Sequence, residues 1–251
     1  MTDNPYAVPN TSWEPPPVIG NSEARKIQVR PFSRFNEATQ LMGDQYWLFV
    51  GICLLGVLIG SVVPMYILFG PMLCGIHLCF ADRAKGVPTK LEQLFQGFEY
   101  FTPSLIAILL IVLILCVIAI PLFLAVMVVF TAIAASGDEQ FAESIFMVGF
   151  LPTLFALCVG YGMLYVPFLF TFALIVDQRL SAWDAITASY RGAMKNFWGL
   201  VGLLTVIWIG TVASILACYI PLIFFLPYQF GTLYVVYRDI FPNASGIQQP
   251  E

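Results

Sequence analysis

The residues with the clearest capacity for chemistry lie in "LCGIHLCF", residues 73–80. This stretch holds the only histidine, His77, with Cys74 three residues before it and Cys79 two residues after it. Thiolate and imidazole groups bind zinc or copper. Cys74 and His77 share a helix face, but Cys79 projects about 200° from His77 on a straight helix. The spacing therefore favours a histidine bonded to a neighbouring helix. Cys74 and His77 are kept as candidate metal ligands, and we predict no cofactor.

A second group of polar side chains lies inside apolar stretches and could line a passage through them. Its members are Tyr161, Tyr165, Thr171, Ser214 and Gln229. The competing interpretation is that they hold helices together by interhelical hydrogen bonds, worth about 0.6 kcal/mol each. The apolar stretches contain no Asp, Glu, Lys or Arg, and no phosphate-binding glycine loop or Ser–His–Asp set is present. We therefore predict no catalytic residues and no enzyme activity.

The elements that must position these residues are membrane helices. The chain is 59% hydrophobic and 10% charged, whereas soluble proteins carry about a quarter charged residues. Each of its charge-free stretches is longer than the roughly 20 residues that cross a bilayer. They are residues 45–81, 100–137, 144–176 and 196–237. The composition predicts an all-α, polytopic transmembrane helical bundle.

The distribution of charge predicts how the chain is threaded. If 45–81 turns near Ser61–Pro64 and 196–237 turns near Cys218–Pro221, six spans result. All eleven Lys and Arg residues then lie on one side of the membrane, as the positive-inside rule requires. The acidic loop "SGDEQFAES" lies on the other side. An alternative with eight spans uses extra turns at Pro121 and Pro152.

This threading predicts a membrane domain over residues 33–238, with hairpins at about 46–82, 101–176 and 197–238. The Pro-rich residues 1–32 have too little apolar surface to fold and are predicted to be a disordered cytoplasmic tail. Residues 239–251 form a short cytoplasmic tail. The location predicted is the inner membrane of a bacterium, with both termini in the cytoplasm. The few, scattered basic residues do not favour nucleic-acid binding.

Two polar segments between the apolar runs resemble each other. "TKLEQLFQGFEYF" (89–101) and "SAWDAITASYRGAMKNF" (181–197) each follow an aspartate and place a glycine fifteen residues after it. Both begin with a pattern typical of a capping box, Thr89-x-x-Glu92 and Ser181-x-x-Asp184. A weaker third copy covers residues 33–47. We predict that each is a helix lying in the membrane interface.

The segment at residues 181–197 is amphipathic. Its apolar residues recur at helical steps: Trp183, Ile186, Tyr190, Met194 and Phe197. Arg191 and Lys195 lie on the other side of the helix, and Trp198 follows it. Such a helix rests in the headgroup layer with its basic residues toward anionic lipid. Trp183, Arg191, Lys195 and Trp198 are therefore predicted to contact membrane lipids.

Three prolines recur at similar distances before the charged ends of the inward-running helices. Pro71, Pro167 and Pro227 stand ten or eleven residues before Asp82, Asp177 and Arg238. That distance places each proline near the bilayer midplane, where it would kink its helix. The pattern predicts three parallel repeats of an interfacial helix plus a transmembrane hairpin, with kinked helices around a central cavity. The simpler interpretation is that proline is common in membrane helices.

Residues 177–198 resemble a group of bacterial inner-membrane families. The similarity is carried by Asp177, Ser181, Ala185-Ile186, Ser189, Asn196 and Trp198 and extends over about 36–238. The families are the YciC-like proteins and the membrane domain of some glycerophosphodiester phosphodiesterases. The resemblance implies six membrane helices and no settled activity. These 251 residues hold no cluster of acids and histidine typical of the phosphodiesterase domain, so that activity is not carried over.

The function favoured by these observations is non-enzymatic. The leading hypothesis is a module that binds lipids or handles a small neutral or apolar solute. This hypothesis rests on the predicted combination of kinked membrane helices with basic interfacial helices. The alternative is a scaffold or assembly factor for an unidentified protein partner. An intramembrane enzyme is the least favoured function, since the spans lack ionisable groups.

Overall fold

A computed structural model of the chain describes residues 24–62, 67–135, 153, 160 and 162–242. These residues form helices and connecting segments, with no strand among them, which confirms the all-α prediction. The α-helices in the described residues include α1 (Pro31–Met42), α2 (Tyr46–Val62), α3 (Phe69–Ala84), α4 (Gln93–Gln96), α5 (Phe101–Ala134), α6 (Thr171–Gln178), α7 (Ala182–Lys195), α8 (Phe197–Leu216) and α9 (Ile220–Ile240). Short 3-10 turns cover Gly43–Gln45, Gly97–Tyr100 and Val166–Phe168.

Several of these helices have the length and composition of membrane spans. In the described part of the chain, four helical segments are long and apolar enough to cross a membrane: Pro31–Val62, Leu91–Ala132, Phe197–Leu216 and Ile220–Ile240. The apolar helix Gly162–Gln178 is shorter, and α3 has 16 residues. The protein is therefore of the helical membrane class, with four full-length candidate spans in the described residues.

The long helix α5 removes one of the extra turns that eight spans would need. It has 34 residues and continues through Pro121, so it is about 51 Å long at the usual rise per residue. Pro121 removes a single backbone hydrogen bond, and intact turns on both sides keep the helix together. The prediction of a turn at Pro121 is wrong. Pro152 and the acidic loop lie outside the described residues.

The predicted turn near Cys218–Pro221 is confirmed. Helix α8 ends at Leu216 and α9 begins at Ile220, with positive φ angles of 68° at Cys218 and 63° at Tyr219. Pro221 occupies the first turn of α9, where its missing N–H costs nothing. The first apolar run also divides into two helices, because α2 ends at Val62 and α3 packs against it from Phe69 onward.

The predicted disordered tail differs from the structure at its carboxyl end. The Arg25 amide donates to the Ile240 carbonyl at 2.9 Å. The Asn196 side chain accepts from the Ile27 amide at 2.7 Å and donates to the Arg25 carbonyl at 2.9 Å. Residues 24–30 therefore pack on the membrane domain, because the buried Asn196 amide and the Ile240 carbonyl bond backbone groups of this segment. Residues 1–23 and 243–251 lie outside the described residues.

Each interfacial segment packs on one inward helix. Helix α1 contacts α9, α4 and the following 3-10 turn contact α3, and α7 contacts α6. Glycine allows the closest of these approaches. A Cβ atom on Gly97 would overlap the carbonyl oxygen of Pro71, and one on Gly75 would overlap that of Leu94. The backbones of the two elements are therefore in direct contact.

Small residues also make the other two contacts. The Ser189 hydroxyl of α7 donates to the Pro167 carbonyl at 2.7 Å and accepts from the Phe170 amide at 3.1 Å. A Cβ atom on Gly231 of α9 would lie 3.3 Å from that of Ala38 in α1. Through these contacts each of the three segments is held against the side of its own helix.

The two predicted capping boxes have different outcomes. Ser181 caps α7, since its hydroxyl accepts from the Asp184 amide at 3.3 Å and bonds the Asp184 carboxylate at 2.7 Å. The prediction at Thr89 is wrong. The Thr89 hydroxyl donates to the Cys79 carbonyl at 3.3 Å, and α4 begins only at Gln93. Thr89 therefore ties the loop to α3 instead of starting a helix.

Candidate functional site

A pocket of about 100 Å³ lies among α3, α9 and the stretch that leads into and includes the start of α6. These are the three helices that the sequence predicts to surround a cavity. Eight of the thirteen lining residues are aromatic, counting His77. The wall is therefore built mainly from aromatic side chains, with few hydrogen-bonding groups.

The polar feature of the pocket is a buried histidine–aspartate pair. His77 on α3 places its Nε2 atom 3.4 Å from Oδ2 of Asp177 at the end of α6. The two side chains are 10% and 9% exposed. His77 lines the pocket and Asp177 lies behind it. The neighbouring-helix partner expected for His77 is thus a carboxylate 100 residues further along the chain.

Sequence reasoning missed Asp177 as a site residue. It stands one position beyond the charge-free stretch 144–176 and was interpreted as the start of a polar connector. The structure keeps it helical, because α6 runs from Thr171 to Gln178. The available signal was its position directly after the buried residues of α6.

Two tyrosines of α9 complete the polar end of the pocket. The His77 ring centroid lies 5.2 Å from that of Tyr234 and 5.1 Å from that of Tyr237. The Tyr234 hydroxyl is buried and has no hydrogen-bond partner among the described residues. Neither tyrosine was predicted. Their three-residue spacing, which places both on one helix face, could have indicated them.

The residues predicted to form a polar lining do not come together. Tyr165 lines the pocket. The Gln229 amide donates to Thr211 of α8 at 2.8 Å, which is an interhelical bond, and the Ser214 hydroxyl donates to Gly210 within its own helix at 2.7 Å. Thr171 is buried in the core, and Tyr161 lies outside the described residues. A hydroxyl in an apolar helix readily bonds the carbonyl one turn back, so composition alone does not reveal a lining.

The three prolines have three different surroundings. Pro227 lies inside α9, as predicted. Pro71 is the third residue of α3, and Pro167 lies in the 3-10 turn Val166–Phe168 before α6. The prediction of a kink within a helix is therefore wrong for Pro71, whereas Pro167 lies at a 3-10 break inside the apolar helix Gly162–Gln178. Proline is favoured where a helix begins, because its missing N–H is not needed there.

The candidate metal ligands point to separate partners. The Cys74 sulfur lies 4.0 Å from the Phe172 carbonyl oxygen, whereas His77 contacts Asp177. Among the described residues, no three His, Cys, Asp or Glu side chains converge as a metal site would require. Cys74 is fully buried and packs as a small apolar residue.

Helix α7 has the surface expected of an interfacial helix, with one correction. Trp183 is 62% exposed, and Trp198 directly after the helix is 80% exposed. Arg191 and Lys195 are also exposed. Ile186, which was assigned to the membrane face, is instead buried. It belongs to a third, small-residue face that packs on α6 and leaves the aromatic stripe free.

Comparisons with protein-family models, with curated proteins and with solved structures found no match.

Proposed function

We propose that this protein is a non-enzymatic integral membrane module that binds a lipid or a small solute in the pocket among α3, α6 and α9, called the central pocket below. The observation that carries the proposal is the buried His77–Asp177 pair beside a pocket of about 100 Å³. Ionisable residues buried between membrane helices are costly and usually mark a functional site. Packed helices also leave few voids larger than a water molecule.

Binding fits the surroundings of the pocket better than covalent chemistry does. The nearest thiol on α3, Cys74, faces the Phe172 carbonyl and does not line the pocket. His77 contacts Asp177 and lies in tilted and edge-on contact with two tyrosine rings. These groups suit the recognition of a polar or charged group.

We further propose six spans in three parallel repeats, with α3 and the helix ending at Gln178 as the two short spans. The packing of each interfacial segment on one inward helix supports this arrangement. The residues four positions after the three prolines support it as well. Gly75 contacts Leu94 and Gly231 contacts Ala38, and Thr171 directly follows the residue whose amide bonds Ser189.

In the same proposed threading, the protein lies in a bacterial inner membrane and both termini are on the cytoplasmic side. Reporter fusions at Lys90 and at Ala135, on either side of α5, test it directly. They should report opposite compartments, because α5 is continuous between them. The same compartment at both positions would remove the threading. The resemblance to the YciC-like families and the existence of a protein partner stay predictions.

Ligand binding is tested by identifying what stays bound after gentle purification. Mass spectrometry of the intact protein should show a lipid or small molecule bound to the wild type. Ala173 lines the pocket, so Ala173→Leu should fill it and abolish the bound species. The matched control is Ala125→Leu on the exposed surface of α5, which should retain it. If wild type and Ala173→Leu carry the same species, or none above background, the proposal fails.

A further inference from the structure

We infer that the central pocket selects a small organic cation of the methylated-ammonium class. This inference deepens the proposed function and rests on it. The juxtaposition that carries it is a wall of aromatic rings contributed by three helices, with a buried carboxylate one side chain behind that wall. An aromatic wall with a nearby negative charge is the arrangement that recognises a quaternary ammonium group.

The rings form a continuous surface. His77 lies 5.2 Å and 5.1 Å from the centroids of Tyr234 and Tyr237. Phe80 stacks on Tyr234 at 6.1 Å, and Phe170 lies 6.0 Å from Tyr237. All five side chains line the pocket. A cation among them meets the electron-rich faces of several rings without needing a hydrogen-bond acceptor.

The balance of charge at the polar end also favours a cation. Asp177 is 9% exposed, and its contact with His77 at 3.4 Å is long for a hydrogen bond. The Asp177 carboxylate therefore places a negative charge directly behind the ring wall. A cation in the pocket would balance that charge, whereas an anion would add to it.

The size of the pocket restricts the cation to a compact one. An apolar cavity of about 150 Å³ accommodates benzene, so about 100 Å³ suits a group of about five heavy atoms, such as tetramethylammonium. The same chemistry occurs free in solution and at the head of a choline lipid. The pocket recognises the trimethylammonium group in either case.

The decisive experiment compares a charged probe with a neutral one of the same shape on the wild-type full chain. Tetramethylammonium chloride and tert-butanol are titrated into the purified protein at constant ionic strength. Binding is read from the melting temperature and from NMR signals of the imidazole, which is unambiguous because His77 is the only histidine. Tetramethylammonium should raise the melting temperature and shift the His77 signals, and tert-butanol should do neither.

Two variants locate the effect. Asp177→Asn should weaken tetramethylammonium binding at least tenfold, and Phe230→Leu should weaken it while nearly preserving apolar volume. Glu99→Gln changes an exposed carboxylate away from the pocket and should bind like the wild type. Phe230→Leu keeps the test decisive if Asp177→Asn does not fold.

The source of the cation is distinguished with the protein in lipid nanodiscs. A His77 shift in phosphatidylcholine and not in phosphatidylglycerol indicates a lipid headgroup, whereas tetramethylammonium binding with no lipid effect indicates a free solute. Equal binding of tert-butanol overturns the cation class and leaves the pocket as a ligand site. If neither probe binds while a co-purified ligand is lost in Ala173→Leu, the inference falls and the proposed function stands.

Discussion

The two halves of helix α5 are equally apolar, yet they meet very different surroundings. The first half carries buried residues on one side, among them Ala107, which is fully buried, and Leu115, which is 5% exposed. Beyond Leu115, none of the described residues of the helix is buried, and Val128 is 65% exposed. Hydropathy therefore predicts that a segment leaves water, but it does not predict whether protein or another apolar surface covers it.

What distinguishes the packed half is its neighbours. The interfacial segments are attached to the inward helices through residues such as Gly97 and Ser189. The Asn196 side chain attaches the segment 24–30 in the same way. In an apolar solvent, close backbone approach and interhelical hydrogen bonds provide the specificity that hydrophobicity cannot. Substitutions at these positions should therefore lower the free energy of unfolding, globally or locally, whereas equivalent substitutions on the exposed surfaces should have little effect.

The largest effect is expected for Gly97→Val. The added Cβ would overlap the Pro71 carbonyl, and backbone on both sides leaves little room for adjustment. We expect a loss of about 3 kcal/mol or more in the free energy of unfolding, measured by thermal unfolding in detergent. Gly51→Val is the control, because no atom lies within 4 Å of its new Cβ. Equal melting temperatures for the two variants would refute the distinction.

Ser189→Ala is expected to have the next largest effect. It leaves the Phe170 amide without its acceptor in a buried position, which costs about 1–3 kcal/mol. Thr187→Ala, on the same helix, removes a hydroxyl that bonds only its own helix at the Trp183 carbonyl and should change stability by less than about 0.5 kcal/mol. Chemical denaturation of both variants measures the difference, and indistinguishable values would argue that Ser189 is not a docking point.

Asn196→Ala should act locally on residues 24–30. The variant loses the side-chain bonds to the Ile27 amide and the Arg25 carbonyl. We expect hydrogen exchange at the Ile27 amide to become about tenfold faster, which corresponds to about 1.4 kcal/mol. Gln28→Ala, at an exposed site in the same segment, should leave that exchange unchanged. Unaltered exchange in Asn196→Ala would show that other contacts hold the segment.

The smallest effect is expected at the start of α7. Ser181→Ala removes an exposed helix cap and should cost about 1 kcal/mol, visible as faster hydrogen exchange of the Asp184 amide. Ser33→Ala, whose hydroxyl bonds the Glu37 side chain and caps no helix, provides the comparison. A larger loss in Ser33→Ala than in Ser181→Ala would contradict the assignment of the cap.

Predictions that rest on local chemistry agree with the structure. The turn at Cys218–Pro221, the cap at Ser181 and the exposed tryptophans Trp183 and Trp198 each depend on neighbouring residues and on the apolar solvent. Predictions that assumed one environment for repeated residues were less reliable. Thr89 has the pattern of Ser181 but bonds the Cys79 carbonyl. Pro71 lies in the first turn of α3, whereas Pro227 lies inside the continuous helix α9.

By itself, the sequence determined that the chain is helical and belongs in a membrane, because long charge-free stretches must satisfy their backbone internally. The tertiary structure alone decided that Asp177 lies against His77 and that the rings of Tyr234 and Tyr237 close around them. These residues are separated by up to 160 positions, and no local pattern records which helix faces meet. Their meeting depends on how small side chains let the backbones approach.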